Sequence, residues 1–333
     1  MRIVITDHRF PNVQQESAAA QLAGAELLVP QTTDEDRLVA ECQEADAVMT
    51  VRAPISKRVI DAMQRCRLIV RYGIGIDNVD VAAATARGIM VANVPDYCVD
   101  EVSDHALTLL LMLSRQTLAA MSLAREETWA TSKMPRLYRL KGKVCGLFGA
   151  GKIGAMLASK VKALGMRAIV CDPYLDTERA NALGARKVSW ETLLATSDFI
   201  SVHAPLTEDT QEVFNDKTFA AMKRSAFIIN TARGGLIKES HLIRAIDSGE
   251  IAGAGLDVLE CETAVTPLRL ALVNHPKVIV TAHTAWLSDE ARASLQERAI
   301  SQVLACFRGE RPYGLVNVGV FKNLGSDQIS TEK

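Results

Sequence analysis

The sequence predicts an α/β protein of two Rossmann-like, doubly wound parallel sheets, the first of them flavodoxin-like, and three observations lead there. Short apolar runs alternate with amphipathic stretches along most of the chain, the pattern of parallel strands covered by helices on both faces. One complete set of such pairs ends before residue 99, and a second begins at Val144. With 333 residues the chain is also long enough for two domains that each bury a core.

In the first set the expected strands are Ile3 to Thr6, Glu26 to Val29, Ala47 to Val51, Leu68 to Arg71 and Met90 to Val94. Helices are expected between them, over Gln14 to Leu22, Asp34 to Cys42, Lys57 to Arg65 and Val81 to Arg87. One long helix rich in Ala and Leu is expected from Val99 to about Arg125, then a polar stretch with Trp129 and Tyr138 up to the Lys141-Gly-Lys143 turn. The second set has strands from Val144 and over Ala168 to Cys171, Phe199 to His203, Ala226 to Asn230, Gly253 to Val258 and Val278 to Thr281. A last helix, Ser288 to Phe307, precedes a polar tail from Lys322 whose composition suggests disorder. That helix has no obvious partner in the second set, so the expected division is a discontinuous domain of 1–98 and 287–333 around a domain of 99–286.

Hydrophobic content of 48%, charged content of 23% and a net charge of -1 describe a soluble protein with no bias toward nucleic acid or anionic membrane. The N-terminus reaches Asp7 too soon for a signal peptide, and the apolar run Leu107 to Leu113 is far below a bilayer span, so a cytoplasmic location is the default expectation. The cysteines at 42, 66, 98, 145, 171, 261 and 306 include no CxxC pair and no histidine at ligand spacing. No metal site is expected, and the thiols are read as reduced and mostly buried. Cys261, between two glutamates, is read as a small filler whose thiol pKa its neighbours raise.

The stretch Val144-Cys-Gly-Leu-Phe-Gly-Ala-Gly-Lys-Ile-Gly154 runs a strand into three glycines and then a helix. Gly149 takes the tight turn, Gly151 lets backbone amides approach a pyrophosphate, and Gly154 lets the helix pack on its strand, with the helix N-terminus facing the phosphates. The next strand ends in Asp172, where a ribose needs an acceptor for its hydroxyls. That carboxylate repels a 2′-phosphate, and Pro173, Tyr174 and Leu175 bring no cation, so NAD is expected over NADP.

Three segments follow: Ile229-Asn-Thr-Ala-Arg-Gly-Gly-Leu236, Gly255-Leu-Asp-Val-Leu-Glu-Cys-Glu262 and Thr281-Ala-His-Thr-Ala-Trp286. With Val70 to Asp80, Asn93-Val-Pro95 and His203 to Thr207, the chain resembles the D-isomer-specific 2-hydroxyacid dehydrogenase family, in the branch similar to C-terminal-binding protein and D-3-phosphoglycerate dehydrogenase. The resemblance implies hydride exchange between NAD and a small D-2-hydroxy acid or its 2-keto acid, with Arg233 anchoring carboxylate and carbonyl, His283 as acid/base and Glu262 as its partner. The chemistry suits these residue types. A keto oxygen must gain a proton as hydride reaches the carbon, and histidine titrates near neutrality. Glutamate fixes the ring and balances its charge, while arginine is a permanent planar cation that holds a carboxylate by two hydrogen bonds.

The resemblance also implies cofactor contacts from Lys152, Ile153, His203, Pro205, Thr210, Thr231, Ala232, Arg233, Asp257 and His283. Substrate contacts would come from the Gly73 and Ile74 amides, Arg52, Arg71 and Trp286. It implies a homodimer through 99–140. Two positions depart from the family, Thr263 and Ala282, where prolines usually follow the glutamate and precede the histidine. The competing expectation is a regulatory or scaffold protein of the C-terminal-binding protein type, which binds NAD without needing all three catalytic residues.

Overall fold

The computed structural model describes residues 1–125 and 129–322. The chain divides into two compact units, Met1–Tyr97 with Ser288–Lys333, and Cys98–Leu287. The tail after Lys322 lies outside the described residues.

The first unit is a five-stranded sheet of β1 (Arg2–Ile5), β2 (Glu26–Leu28), β3 (Ala47–Thr50), β4 (Leu68–Arg71) and β5 (Met90–Ala92). Its order is β2-β1-β3-β4-β5 and every pairing is parallel. Ile3, Val4, Ile5 and all of β3 are buried, which explains why these strands read as continuous apolar runs. The helix Asp289–Phe307 packs on β4 and on the helix Gln14–Leu22, so its partner is the first sheet.

The helix after β3 stops at Ala62, short of the expected Arg65. Arg87 ends it, donating to the carbonyls of Asp61 at 2.8 Å and Met63 at 2.7 Å. The segment after the last helix closes the β5 edge. The Val316 amide donates to the Val91 carbonyl at 2.8 Å, and the Asn317 side chain accepts from Val91 N and donates to Ile89 O.

The second unit is a seven-stranded parallel sheet of β6 (Val144–Phe148), β7 (Arg167–Cys171), β8 (Ala185–Lys187), β9 (Phe199–Val202), β10 (Phe227–Asn230), β11 (Gly253–Leu256) and β12 (Val278–Val280). Its order is β12-β11-β10-β9-β6-β7-β8. Alternate residues of β10 serve two cores. Phe227 and Ile229 join Leu109, Leu110 and Leu113 on one face, while Ile228 joins Ile200, Val202 and Phe219 on the other. Gly255 makes room for the helix Val99–Arg115, since a Cβ there would sit 3.0 Å from Leu109 Cβ.

Two expectations need correction. The long helix is broken: Val99–Arg115 ends on Gln116, whose φ of 50° is left-handed, and Thr117–Arg125 continues at 58° to it. The first segment has a buried face and the second has none, so nothing in the core extends the first helix. The strand β8 was not expected because two of its three residues are cations, as suits a sheet edge. Among the described residues no single helix is long and apolar enough to cross a membrane.

Candidate active site

Both sheets reverse strand order at one point, β1 to β3 in the first and β6 to β9 in the second, and open sheets of this kind bind ligands at the strand C-termini beside that point. In the second unit the loop after β6 occupies it. Gly149 has φ of 90°, and a Cβ there would lie 2.8 Å from the Ala204 amide nitrogen after β9. A Cβ on Gly154 would lie 2.5 Å from the Gly149 carbonyl oxygen. Gly151 caps the helix Lys152–Ala163 and has nothing within 4 Å of the Cβ position. An open backbone face thus meets the first-turn amides of Ile153 and Gly154, which lack intrahelical acceptors, and a pyrophosphate fits there.

Asp172 stands at the end of β7, where Oδ2 accepts from the Ala150 amide and Oδ1 from the Tyr174 amide, each at 2.8 Å. Each oxygen keeps a lone pair for a ribose hydroxyl. Thr210 Oγ1 donates to the Pro205 carbonyl at 2.7 Å and accepts from the Thr207 amide, so it shapes the loop after β9. The Thr231 hydroxyl, buried at the end of β10, has no hydrogen-bond partner among the described residues. An orphaned buried hydroxyl fits a polar ligand there.

Arg233, Glu262 and His283 follow three adjacent strands, β10, β11 and β12. His283 Nδ1 donates to both carboxylate oxygens of Glu262, at 2.8 and 2.9 Å, because a carboxylate only accepts. Nε2 is left for chemistry. The side chains are 31% and 26% exposed, open enough to meet a ligand. The loops are locked together. Asn230 accepts from the Ala232 amide at 3.0 Å and donates to the Arg233 carbonyl at 2.8 Å, and a Cβ on Gly234 would fall 2.0 Å from the Leu259 carbonyl carbon. Glu239 and Glu260 exchange carboxylate-to-amide hydrogen bonds across the same seam. Burial, then the Glu260 charge, raises the Glu239 pKa.

Where proline is usual after the glutamate, Arg269 donates to the carbonyls of Glu262 at 3.1 Å and Ala264 at 3.2 Å and steadies the loop around Thr263. Asp257, expected beside a carboxamide, is 2% exposed, and its carboxylate accepts three hydrogen bonds from residues 281–285. Half-buried Trp286 lies three residues beyond His283. Sequence reasoning missed Asn230 and Arg269, whose hydrogen bonds run to backbone two to seven residues away, and Thr281 and His105, whose contacts join distant segments.

In the first unit Asp7, after β1, accepts from the amides of Val51, Arg52 and Ala53 at 3.0, 2.8 and 3.1 Å and so fixes the loop bearing Arg52. Gly73 has φ of 131°, and a Cβ there would overlap Arg71 Nη1, so the guanidinium lies across this turn. Asn93 Nδ2 donates to the Ile74 carbonyl at 2.5 Å.

Two features fall away from the chemistry. A cavity of about 810 Å³ is lined by Val144, Lys162, Arg167, Arg186 and Lys223, at the opposite, N-terminal ends of the second unit's strands. Cys261 corrects an expectation. Its thiol pKa is lowered, first by a hydrogen bond from the Ala264 amide and then by Thr263 and the charge of Arg269, which outweigh the effect of desolvation. The buried thiols of Cys42 and Cys145 are pushed up to about 12 by burial. Among the described residues no His, Cys, Asp or Glu cluster fits a metal.

Residues 107–285 match the family model of the D-isomer specific 2-hydroxyacid dehydrogenase NAD binding domain. The chain belongs to the D-isomer-specific 2-hydroxyacid dehydrogenase family. It is 37% identical over 290 residues to a glyoxylate reductase of Thermococcus litoralis, covering 85% of this chain and 87% of that protein. It is 38% identical over 287 residues to a D-3-phosphoglycerate dehydrogenase of Mycobacterium tuberculosis, covering 86% of this chain. The chain spans 54% of that relative's length. The crystal structure of a glyoxylate reductase from Paecilomyes thermophila is similar with a TM-score of 0.87 at 27% identity, covering 95% of this chain and 98% of that one. The residues matched to the family's NAD-binding domain lie within the second unit, where the glycine cradle, Asp172 and Thr231 have the chemistry to hold such a cofactor.

His203 follows β9 beside the glycine loop, and its Nε2 is 2.9 Å from Ser201 Oγ. Burial pushes its imidazole down from 6.5 to about 4. Between those values the unfolded chain binds a proton that the folded chain does not, so stability falls as pH drops through that interval. That loss amounts to about 3 kcal/mol, and His203→Gln removes it. Urea unfolding at pH 7 and pH 4 checks this. The gap between wild type and variant narrows on acidification, and equal acid dependence in the two contradicts it.

Proposed function

We propose that this chain is an NAD-dependent dehydrogenase interconverting a small D-2-hydroxy acid and its 2-keto acid, of glyoxylate or hydroxypyruvate reductase type. The His283–Glu262 contact carries the reading, because it directs one imidazole nitrogen to the carboxylate and leaves the other for proton exchange with the substrate oxygen. Reduction of the keto acid takes one hydride and one proton, and bound NADH supplies the hydride. Arg233 supplies the cation for the carboxylate and draws charge from the carbonyl, and His283 Nε2 delivers the proton. Glu262 keeps the ring oriented and balances the positive charge on it.

In this reading the substrate residues are Arg233, His283 and Trp286, together with the Gly73 and Ile74 amides, Arg52 and Arg71. Contacts to the cofactor come from Gly149, Gly151, Lys152, Ile153, Gly154, Asp172, His203, Pro205, Thr210, Thr231, Ala232 and Asp257. The domains are read as 1–98 with 287–333 for substrate and 99–286 for NAD. The full set of Arg233, Glu262 and His283 favours turnover over the scaffold reading. The T. litoralis relative, matched over nearly its whole length, favours an unphosphorylated substrate. Arg71 across the Gly73 turn favours testing a phosphorylated one too.

A cytoplasmic homodimer completes the reading. Its support is the apolar surface of the 99–140 segment, where Leu118 and Met121 are each 46% exposed and Trp129 81%.

Oxidation of NADH and of NADPH, followed with glyoxylate, hydroxypyruvate, pyruvate and phosphohydroxypyruvate, tests the activity. NADH is the better donor, because Asp172 repels the 2′-phosphate, and His283→Ala lowers kcat by about 10²–10⁴-fold while NADH still binds. No turnover on any acid despite NADH binding overturns the reading. Light scattering tests assembly: the wild type is a dimer and Leu118→Lys with Met121→Lys is a monomer, whereas a monomeric wild type contradicts the dimer.

A further inference from the structure

The turn carrying His283 is also held from the helix Val99–Arg115. His105, on that helix, brings Nε2 to 2.9 Å from Thr281 Oγ1, and the Thr281 hydroxyl lies 2.5 Å from Asp257 Oδ1. The carboxylate can only accept, so the Thr281 hydroxyl donates to it, and the one proton available for the remaining contact is on His105 Nε2. Asp257 passes this constraint on. Its Oδ1 also accepts from the Thr284 amide and its Oδ2 from the Ala285 amide, both at 2.9 Å, and its carbonyl accepts from the His283 amide at 2.8 Å.

These bonds bracket a residue that does not rest there by itself. His283 has φ of 54°, and the left-handed region costs a residue with a Cβ about 1–2 kcal/mol. Its neighbour adds no stiffness. Ala282 is exposed, its backbone φ is not locked by a ring, and among the described residues its amide finds no acceptor. The rigidity of the turn must come from the side chains around it.

We propose that His105 is a positioning residue for His283. By donating to Thr281 it orients the threonine hydroxyl toward Asp257, and Asp257 then fixes the left-handed turn that aims the imidazole at Glu262. His105 lies 3.6 Å from Asp257 Oδ1 and touches neither Glu262 nor His283 through any of these bonds, so it acts on the acid/base only through the turn. The inference rests on the reading of His283 as the acid/base.

Steady-state kinetics on His105→Leu, His105→Gln, His105→Leu with Ala282→Pro, and His283→Ala test it, with NADH binding and thermal unfolding measured on each. His105→Leu lowers kcat roughly 10- to 100-fold, the scale of a small misplacement of a reacting group, while the keto-acid KM and NADH Kd stay within about twofold. Glutamine at 105, which keeps a donor near the Nε2 position, restores kcat to within about threefold. Proline at 282 recovers part of the loss in the leucine background, because it stiffens the turn by another route and removes no hydrogen bond.

Wild-type kcat in His105→Leu beside an inactive His283→Ala overturns this inference and leaves the function intact. A fall in NADH affinity or unfolding temperature that accounts for the loss in kcat overturns it as well, since His105 would then be purely structural. A glutamine variant as slow as the leucine variant overturns the hydrogen-bond role. Full turnover in His283→Ala overturns the functional reading and this inference with it.

Discussion

The carboxylate of Asp257 captures the Thr281 hydroxyl and two backbone amides in a turn of five residues, and the His283 imidazole stands on that turn. His283 takes a left-handed conformation that its side chain resists, and hydrogen bonds of about 0.5–1.5 kcal/mol each offset the cost. In this backbone state Nδ1 reaches both oxygens of Glu262, which comes from the next strand of the sheet. Water, which would otherwise compete for these amides, is excluded because Asp257 is buried.

The same device recurs at two other strand ends. Asp7 gathers three successive amides around Arg52, and Asp172 takes the Ala150 amide inside the glycine loop. Short acidic or amide side chains at strand ends suit this task, because they reach neighbouring backbone groups without spending much rotamer freedom. Asn230 and Asn93 do likewise beside Arg233 and Gly73. The loops that carry chemistry are thus held by polar contacts to backbone, while apolar packing holds the sheets beneath them.

Much of this was legible in the sequence. Continuous apolar strands and three glycines at fixed spacing announce a doubly wound sheet and a phosphate cradle, because parallel strands buried on both faces and close backbone approach each leave a local trace. Arg233, Glu262 and His283 were singled out by the family resemblance of their segments, since pattern alone does not rank them. What stayed hidden depends on tertiary context. The break at Gln116 has no glycine or proline to mark it, β8 is too charged to read as a strand, and the Cys261 thiol answers to amides whose direction no sequence shows. The His105 contact joins a helix to a loop 176 positions away, and no spacing rule reaches that far.

The most direct test of this account is the tautomer of each ring, read by long-range nitrogen–proton correlation in protein with all six histidines labelled in the ring, at a pH high enough to leave them neutral. Substitutions at His105 and His283 assign the two signals. The account predicts opposite tautomers, with the proton on Nδ1 of His283 facing Glu262 and on Nε2 of His105 facing Thr281. A proton on Nε2 of His283, with Nδ1 bare toward the carboxylate, would contradict it.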